Sequence, residues 1–247
     1  MKEVLVRGTS LASAYHDSLL DLWHDGEEVE CPDWNTTQME LALTFTINNA
    51  LAEPMISKLF IGGPHELEQY RQEMLDGILD FEIERGNWSY TYHDRYKNQY
   101  RFIIDELKRN PYSRRAVMDI RTPDDIGSFD PACLQHIQYF IRDDKLHCKV
   151  LFRSNDACKA TFMNAFALIM LQKRIADELG VEVGSYTHRA NSFHCYEKDF
   201  GTLEMYANYI LKRPLETLSY SYEDEWKDLM ESEKEAISEK VKTLKGE

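Results

Sequence analysis

Several things are scarce in this chain, and each scarcity removes a class of protein. The five cysteines Cys31, Cys133, Cys148, Cys158 and Cys195 form no CxxC pair and are odd in number, so they cannot all pair within the chain. Each is therefore read as a reduced thiol, used for packing or for chemistry. No run approaches the roughly 18 apolar residues of a membrane span. The opening MKEVLVRGTSLASAYHDSLL lacks the apolar core of a secretory signal. Both absences lead us to expect a cytoplasmic protein with no membrane partner. Positive charge is short as well: 29 Lys and Arg against 43 Asp and Glu leave a formal net charge of -14. Such a mean field repels polyphosphates and argues against a nucleic-acid polymer as partner, while leaving room for a local basic pocket that takes one small phosphate. With only 7 Pro and 11 Gly in 247 residues and no low-complexity tract, residues 1-247 are read as one folded domain.

What is present reads as hairpins and long helices in mixed order, an α+β fold. Residues 10–24 place Leu11, Ala14, Tyr15, Leu19, Leu22 and Trp23 at helical spacing and stop at Asp25-Gly26. Residues 39–47 alternate Leu41, Leu43, Phe45 and Ile47 against Ala and Thr, as a strand with one face on a core does. After Gly62-Gly63-Pro64, the stripe Leu67, Tyr70, Met74 and Ile78 marks an ordinary amphipathic helix. A further helix over 96–110 stops before Pro111. HIQYFI and LHCKVLF, joined by Arg142-Asp143-Asp144-Lys145, read as a hairpin. Residues 161–180 are apolar around most of their circumference and closed by Gly180, a long helix that must be buried. The Glu- and Lys-rich residues 223-247 read as a solvated helical or frayed tail.

Groups able to do chemistry concentrate between residues 113 and 196. Cys133 stands at the mouth of a strand in DPACLQHIQYF, and Arg153 ends a strand with a buried side, so its charge needs an anionic partner or ligand. Arg114-Arg115 could be a solvated corner or a phosphate clamp, since guanidinium forks bind phosphate bidentately. The spacings are 20 positions from Cys133 to Arg153, 11 to Asn164 and 30 to His194, with Tyr196 two further on.

In that order the segments resemble the thymidylate synthase family: PACLQH its nucleophile segment, RSND its phosphate- and base-binding segment, Asn164 the amide at the head of the buried helix, and HCY its histidine–tyrosine pair. NPYSRRAV resembles the family's DPxSRR segment. YTYHDR, residues 90–95, is similar to a segment of the archaeal-type branch. The resemblance implies a mixed β-sheet with a long buried central helix and a sheet-to-sheet homodimer. It implies that Cys133 adds as thiolate to C6 of a uracil ring, beside the positive charge of Arg153. Arg153 and Ser154 would bind the nucleotide phosphate, with Arg114 and Arg115 reaching the phosphate of the neighbouring subunit. Asp156 would hold a backbone N–H and the base. Asn164 would match N3–H and O4 of uracil, and His194 and Tyr196 would hold the deoxyribose hydroxyl. For proton relay the resemblance implies a glutamate, read here as Glu53 with Glu40 as alternative, assisted by Tyr92. The implied substrates are dUMP and the co-substrate 5,10-methylenetetrahydrofolate, giving dTMP, with no metal. Hydroxymethylation of dUMP or dCMP is the alternative within that chemistry. A thiol hydrolase pairing Cys133 with His136 or His194, and a non-catalytic nucleotide-binding relative, are alternatives outside it.

Overall fold

The computed structural model describes residues 1–246. In chain order its elements are β1 (Glu3–Gly8), α1 (Leu11–Asp25), β2 (Glu27–Cys31), β3 (Thr36–Ile47), β4 (Ile56–Ser57), α2 (Pro64–Asp76) and α3 (Phe81–Glu84). There follow α4 (Tyr92–Arg109), β5 (Val117–Asp119), β6 (Leu134–Arg142), β7 (Lys145–Phe152), β8 (Asn155–Asp156) and α5 (Thr161–Leu179). β9 (Glu182–Tyr196), α6 (Phe200–Lys212), β10 (Ser219–Tyr220) and α7 (Lys227–Lys245) complete the chain.

Local chemistry sets several of these boundaries. Ser10 caps α1, its hydroxyl accepting from the Ser13 N–H while Ser13 Oγ accepts from the Ser10 N–H. The β6–β7 hairpin turns through Asp143 and Asp144 at φ 52° and 55°, the positive pair that a tight primed turn requires and that Asp tolerates. Gly180, at φ 70°, ends α5.

The main sheet runs β1-β3-β9-β7-β6-β5, with β2 on β3 and β8 on β9. It is mixed: β1/β3 and β7/β9 are parallel, β3/β9, β6/β7 and β5/β6 antiparallel. The helices collect on one face. There alternate residues of β3, β7 and β9, such as Phe45, Phe152, Tyr186 and His188, are fully buried beneath α5 and its neighbours. The intervening residues Thr44, Thr46, Leu151, Thr187 and Arg189 point to the opposite face and stay half-buried. One continuous buried cluster runs from Val6 to Met230.

The tail is a helix with most of its positions exposed, and one narrow stripe of it packs on the domain. α7 lies on α2 and buries Met230 and Ile237, with Trp226 just before it. Those positions repeat at i, i+4 and i+11, a stripe too narrow to stand out among the charges. No described helix is long and apolar enough to cross a membrane.

Candidate active site

The junction of β6, β7, β8, α5 and the end of β9 encloses a cavity of about 290 Å³. Cys133, Tyr92, Arg153, Ser154, Asp156, Asn164, His194 and Tyr196 all line it, joined by Trp34, Asp130, Asn155 and Ala160. Residues as far apart in sequence as Trp34 and Tyr196 are thus brought to one concave surface.

Pairing and capping place them. Register between β6 and β7 slips near Leu134, leaving Cys133 just outside the ladder. The Arg153 N–H donates to Cys133 O at 2.8 Å, and the Arg153 guanidinium donates to Pro131 O at 2.7 Å, Ser154 Oγ at 3.2 Å and Ala132 O at 3.3 Å. Arg153 therefore welds the thiol's loop to the end of β7. Among the described residues its charge meets only the exposed Asp130 carboxylate, at 3.4 Å. Cys133 Sγ lies 3.6 Å from Ser154 Oγ.

Asp156 Oδ1 accepts the N–H groups of Cys158 at 3.0 Å and Lys159 at 2.9 Å, which shapes the turn into α5. At the head of that helix Asn164 is 5% exposed and its Oδ1 accepts from the Tyr70 hydroxyl. His194 Nδ1 is 3.2 Å from Ser192 O, so it is the protonated nitrogen and Nε2 is left with a free lone pair. Burial lowers the His194 pKa, favouring the neutral ring. Tyr196 packs edge-on against it, ring centroids 4.9 Å apart.

Tyr92 is shared with a second cavity of about 250 Å³, walled by Tyr70, Glu73, Met74, Trp88 and Tyr90. The Tyr90 and Tyr92 rings lie 5.9 Å apart. Burial raises the pKa of the Glu73 carboxyl, partly offset by the 2.8 Å hydrogen bond from Gln69. A carboxyl raised by burial and set in a cleft has the signature of proton-transfer groups. Glu73, Tyr70 and Trp88 were not singled out as site residues from sequence. The available signal was a carboxylate at i+3 from Tyr70, beside the apolar stripe of α2.

Five sequence candidates stand elsewhere. Glu53 lines neither cavity: its carboxylate accepts from the N–H groups of Met55 at 2.7 Å and of Tyr222 and Glu223 at 3.0 Å, tying the β4 loop to the start of the tail. Glu40 accepts from Ser192 Oγ at 2.6 Å and Gln38 Nε2 at 2.9 Å, behind His194 in the ladder. Arg114 and Arg115 also lie outside the Cys133 cavity, just before the edge strand β5. Arg115 pairs with Glu106 at 3.0 Å, while the exposed Arg114 guanidinium has no partner among the described residues. Hydrogen bonds from Ser113, Arg109 and Arg115 hold the Glu106 carboxyl down at about 2. His136 sits within β6 opposite Leu151 and does not line the cavity.

Comparison with known proteins agrees with this geometry. Residues 31–238 match the family model described as thymidylate synthase. A Methanocaldococcus jannaschii protein named "Putative thymidylate synthase" is 34% identical over 218 residues, covering 84% of this chain and 97% of the relative. The thymidylate synthase of Bacillus phage phi3T is 28% identical over 176 residues, 70% of this chain and 61% of its own length. Among solved structures, thermostable thymidylate synthase A from Bacillus subtilis shares the fold, with a TM-score of 0.64 over 81% of this chain and 84% of that one at 18% identity. The chain belongs to the thymidylate synthase family, one-carbon transferases that act on a pyrimidine nucleotide.

Proposed function

We propose that this chain transfers a one-carbon unit to C5 of dUMP, forming dTMP, through a covalent bond between Cys133 Sγ and C6 of the uracil ring. The observation that carries the reading is the single cavity in which Cys133, Arg153, Ser154, Asn164, His194 and Tyr196 converge. Addition of the thiolate at C6 moves electron density toward C5 and O4. The Asn164 amide answers that shift: its Nδ2 donates to O4, and its Oδ1, steadied by Tyr70, accepts from N3–H. Arg153 and Ser154 take the phosphate, Arg153 exchanging its long, exposed ion pair with Asp130 for a closer one with the phosphate. The neutral His194 accepts a deoxyribose hydroxyl at Nε2, with Tyr196 beside it. Asp156 holds the turn against which the base rests.

When bound, methylenetetrahydrofolate supplies the carbon and, for a methyl product, the hydride. The aromatic cavity suits its flat ring system, because Trp88, Tyr90 and Tyr92 offer stacking surfaces next to the nucleotide. We assign movement of the C5 proton to Glu73, with Tyr92 at the junction, and a tail-anchoring role to Glu53. The half-buried sheet face is assigned to a homodimer contact, which would carry Arg114 and Arg115 to the partner's phosphate.

The test is incubation with dUMP and methylenetetrahydrofolate, followed by nucleotide mass analysis and by tritium release from C5-labelled dUMP. The expected product is dTMP, and Cys133→Ser should lower turnover by about 10⁴-fold or more while still binding dUMP. A hydroxymethylated nucleotide would overturn the methyl assignment but keep the C5 chemistry. No product and no tritium release would overturn both.

A further inference from the structure

Behind the wall of the Cys133 cavity runs a polar chain that the reading above leaves unused. Asn155, the first residue of β8, lines the cavity and is 3% exposed. Its Oδ1 lies 2.9 Å from His188 Nε2, and His188 Nδ1 lies 3.0 Å from the Tyr186 hydroxyl. His188 is fully buried, its ring stacked between Phe45 at 4.8 Å and Phe152 at 4.7 Å. That apolar enclosure pushes the imidazole down to about 3, so it is neutral near pH 7 and carries one N–H.

Tyr186 decides which nitrogen holds that proton. It is fully buried, and its hydroxyl has no other partner among the described residues. Were Nδ1 protonated, the Tyr186 O–H would have no acceptor, and a buried donor left unmet is costly. With Nδ1 bare, the O–H donates to it and Nε2 carries the proton. Nε2–H then needs an acceptor, which turns Asn155 Oδ1 toward His188 and Nδ2 away from it. Asn155 Nδ2 has no partner among the described residues, although the residue is almost wholly buried. The open side of Asn155 is the cavity it lines.

We propose that the Tyr186–His188–Asn155 chain fixes the Asn155 amide so that its Nδ2 donates to an acceptor oxygen of the bound pyrimidine nucleotide. Asn155 is then a substrate-binding residue, and His188 and Tyr186 are positioning residues. The inference rests on the nucleotide reading of the cavity. It adds a group that can only donate, held by a lever whose far end is about as dry as the core allows.

The test is calorimetric titration of the full chain with dUMP. Asn155→Ala should weaken binding about 10-fold, the loss of one well-placed hydrogen bond. His188→Phe keeps the stack but frees the amide, and should weaken binding about 5-fold. Because the two act through one contact, the double variant should bind no worse than Asn155→Ala. His188→Gln, which restores an N–H, should recover most of the loss. Should His188→Phe fail to fold, Tyr186→Phe, which releases the tautomer, should show a loss of about 2-fold. Wild-type binding with an unchanged Asn155→Ala affinity would overturn this inference alone, as would losses that simply add. No dUMP binding by the wild type would overturn the nucleotide reading with it.

Discussion

The two cavities that meet at Tyr92 are built from opposite materials. The Cys133 side is polar, with a guanidinium and an imidazole oriented by backbone carbonyls, a carboxylate held by backbone N–H groups and two amides held by neighbouring side chains. The other is aromatic, with Glu73 as a carboxyl that burial raises among tyrosines raised in the same way. The contrast matches a division of labour: directional donors and acceptors to hold a small charged substrate, and flat apolar surface to hold a large ring without defining its edges. A polar wall acts through single hydrogen bonds, an aromatic one through area, so substitutions on the two sides should fail differently.

Glu73→Gln gives the largest contrast. If Glu73 moves the C5 proton, turnover should fall by about 10²- to 10⁴-fold, the usual range for one acid–base group. The dUMP affinity should stay unchanged. Glu53→Gln should leave turnover within a few fold and lower the melting temperature, since its carboxylate caps the Tyr222 and Glu223 N–H groups. The reverse outcome would return the relay role to Glu53. Glu73→Gln has a second readout. Its carboxyl is raised in the fold, so ionising it opposes folding, and the stability lost as pH rises past the unfolded value should be regained in the variant. It should melt higher than wild type at pH 7 and no higher in acid.

His188, behind the polar cavity, carries the opposite sign. Its folded value of about 3 lies below the unfolded value near 6.5. The unfolded chain therefore binds the extra proton in that window, and stability falls as pH drops from about 6.5 toward 3. At pH 5 one such residue should cost about 2 kcal/mol relative to pH 7. His16, buried against Ser57 Oγ at 2.7 Å and lowered to about 4, adds a second decline of the same sign. Thermal melts should show the wild type losing several degrees between pH 7 and pH 5 and His188→Phe losing measurably less. An identical pH dependence in both would mean that His188 titrates freely.

The contrast also accounts for what could be read from sequence. Cys133, Arg153, Asn164, His194 and Tyr196 are weak signals singly and became legible through their order and spacing, which resemble the thymidylate synthase family. The β6–β7 hairpin and α5 were legible because alternation and an all-round apolar surface are local signals. β9 was missed because its core positions are Gly184, Tyr186, His188 and Ala190, which produce no apolar alternation. Glu73 was hidden because Tyr70 and Met74 read as the stripe of an ordinary surface helix. The hold on Glu53 by the Tyr222 and Glu223 N–H groups was not legible, because these lie 169 and 170 positions away and only the folded tail creates the contact.

Trp88→Ala tests the aromatic side with the smallest expected effect. Trp88 is 43% exposed, so truncating it removes little core packing. What it removes is ring surface facing Tyr90 and Tyr92 across the second cavity. An aromatic contact contributes about 0.5–1.5 kcal/mol beyond its buried area. The KM for methylenetetrahydrofolate should therefore rise about 3- to 10-fold, with the dUMP affinity and the melting temperature nearly unchanged. Asn155→Ala should show the mirror pattern, weaker dUMP binding with little change in the folate KM. Should Trp88→Ala weaken dUMP binding and folate binding alike, the two cavities would be one continuous site, and Tyr92 would be a floor residue instead of the partition between them.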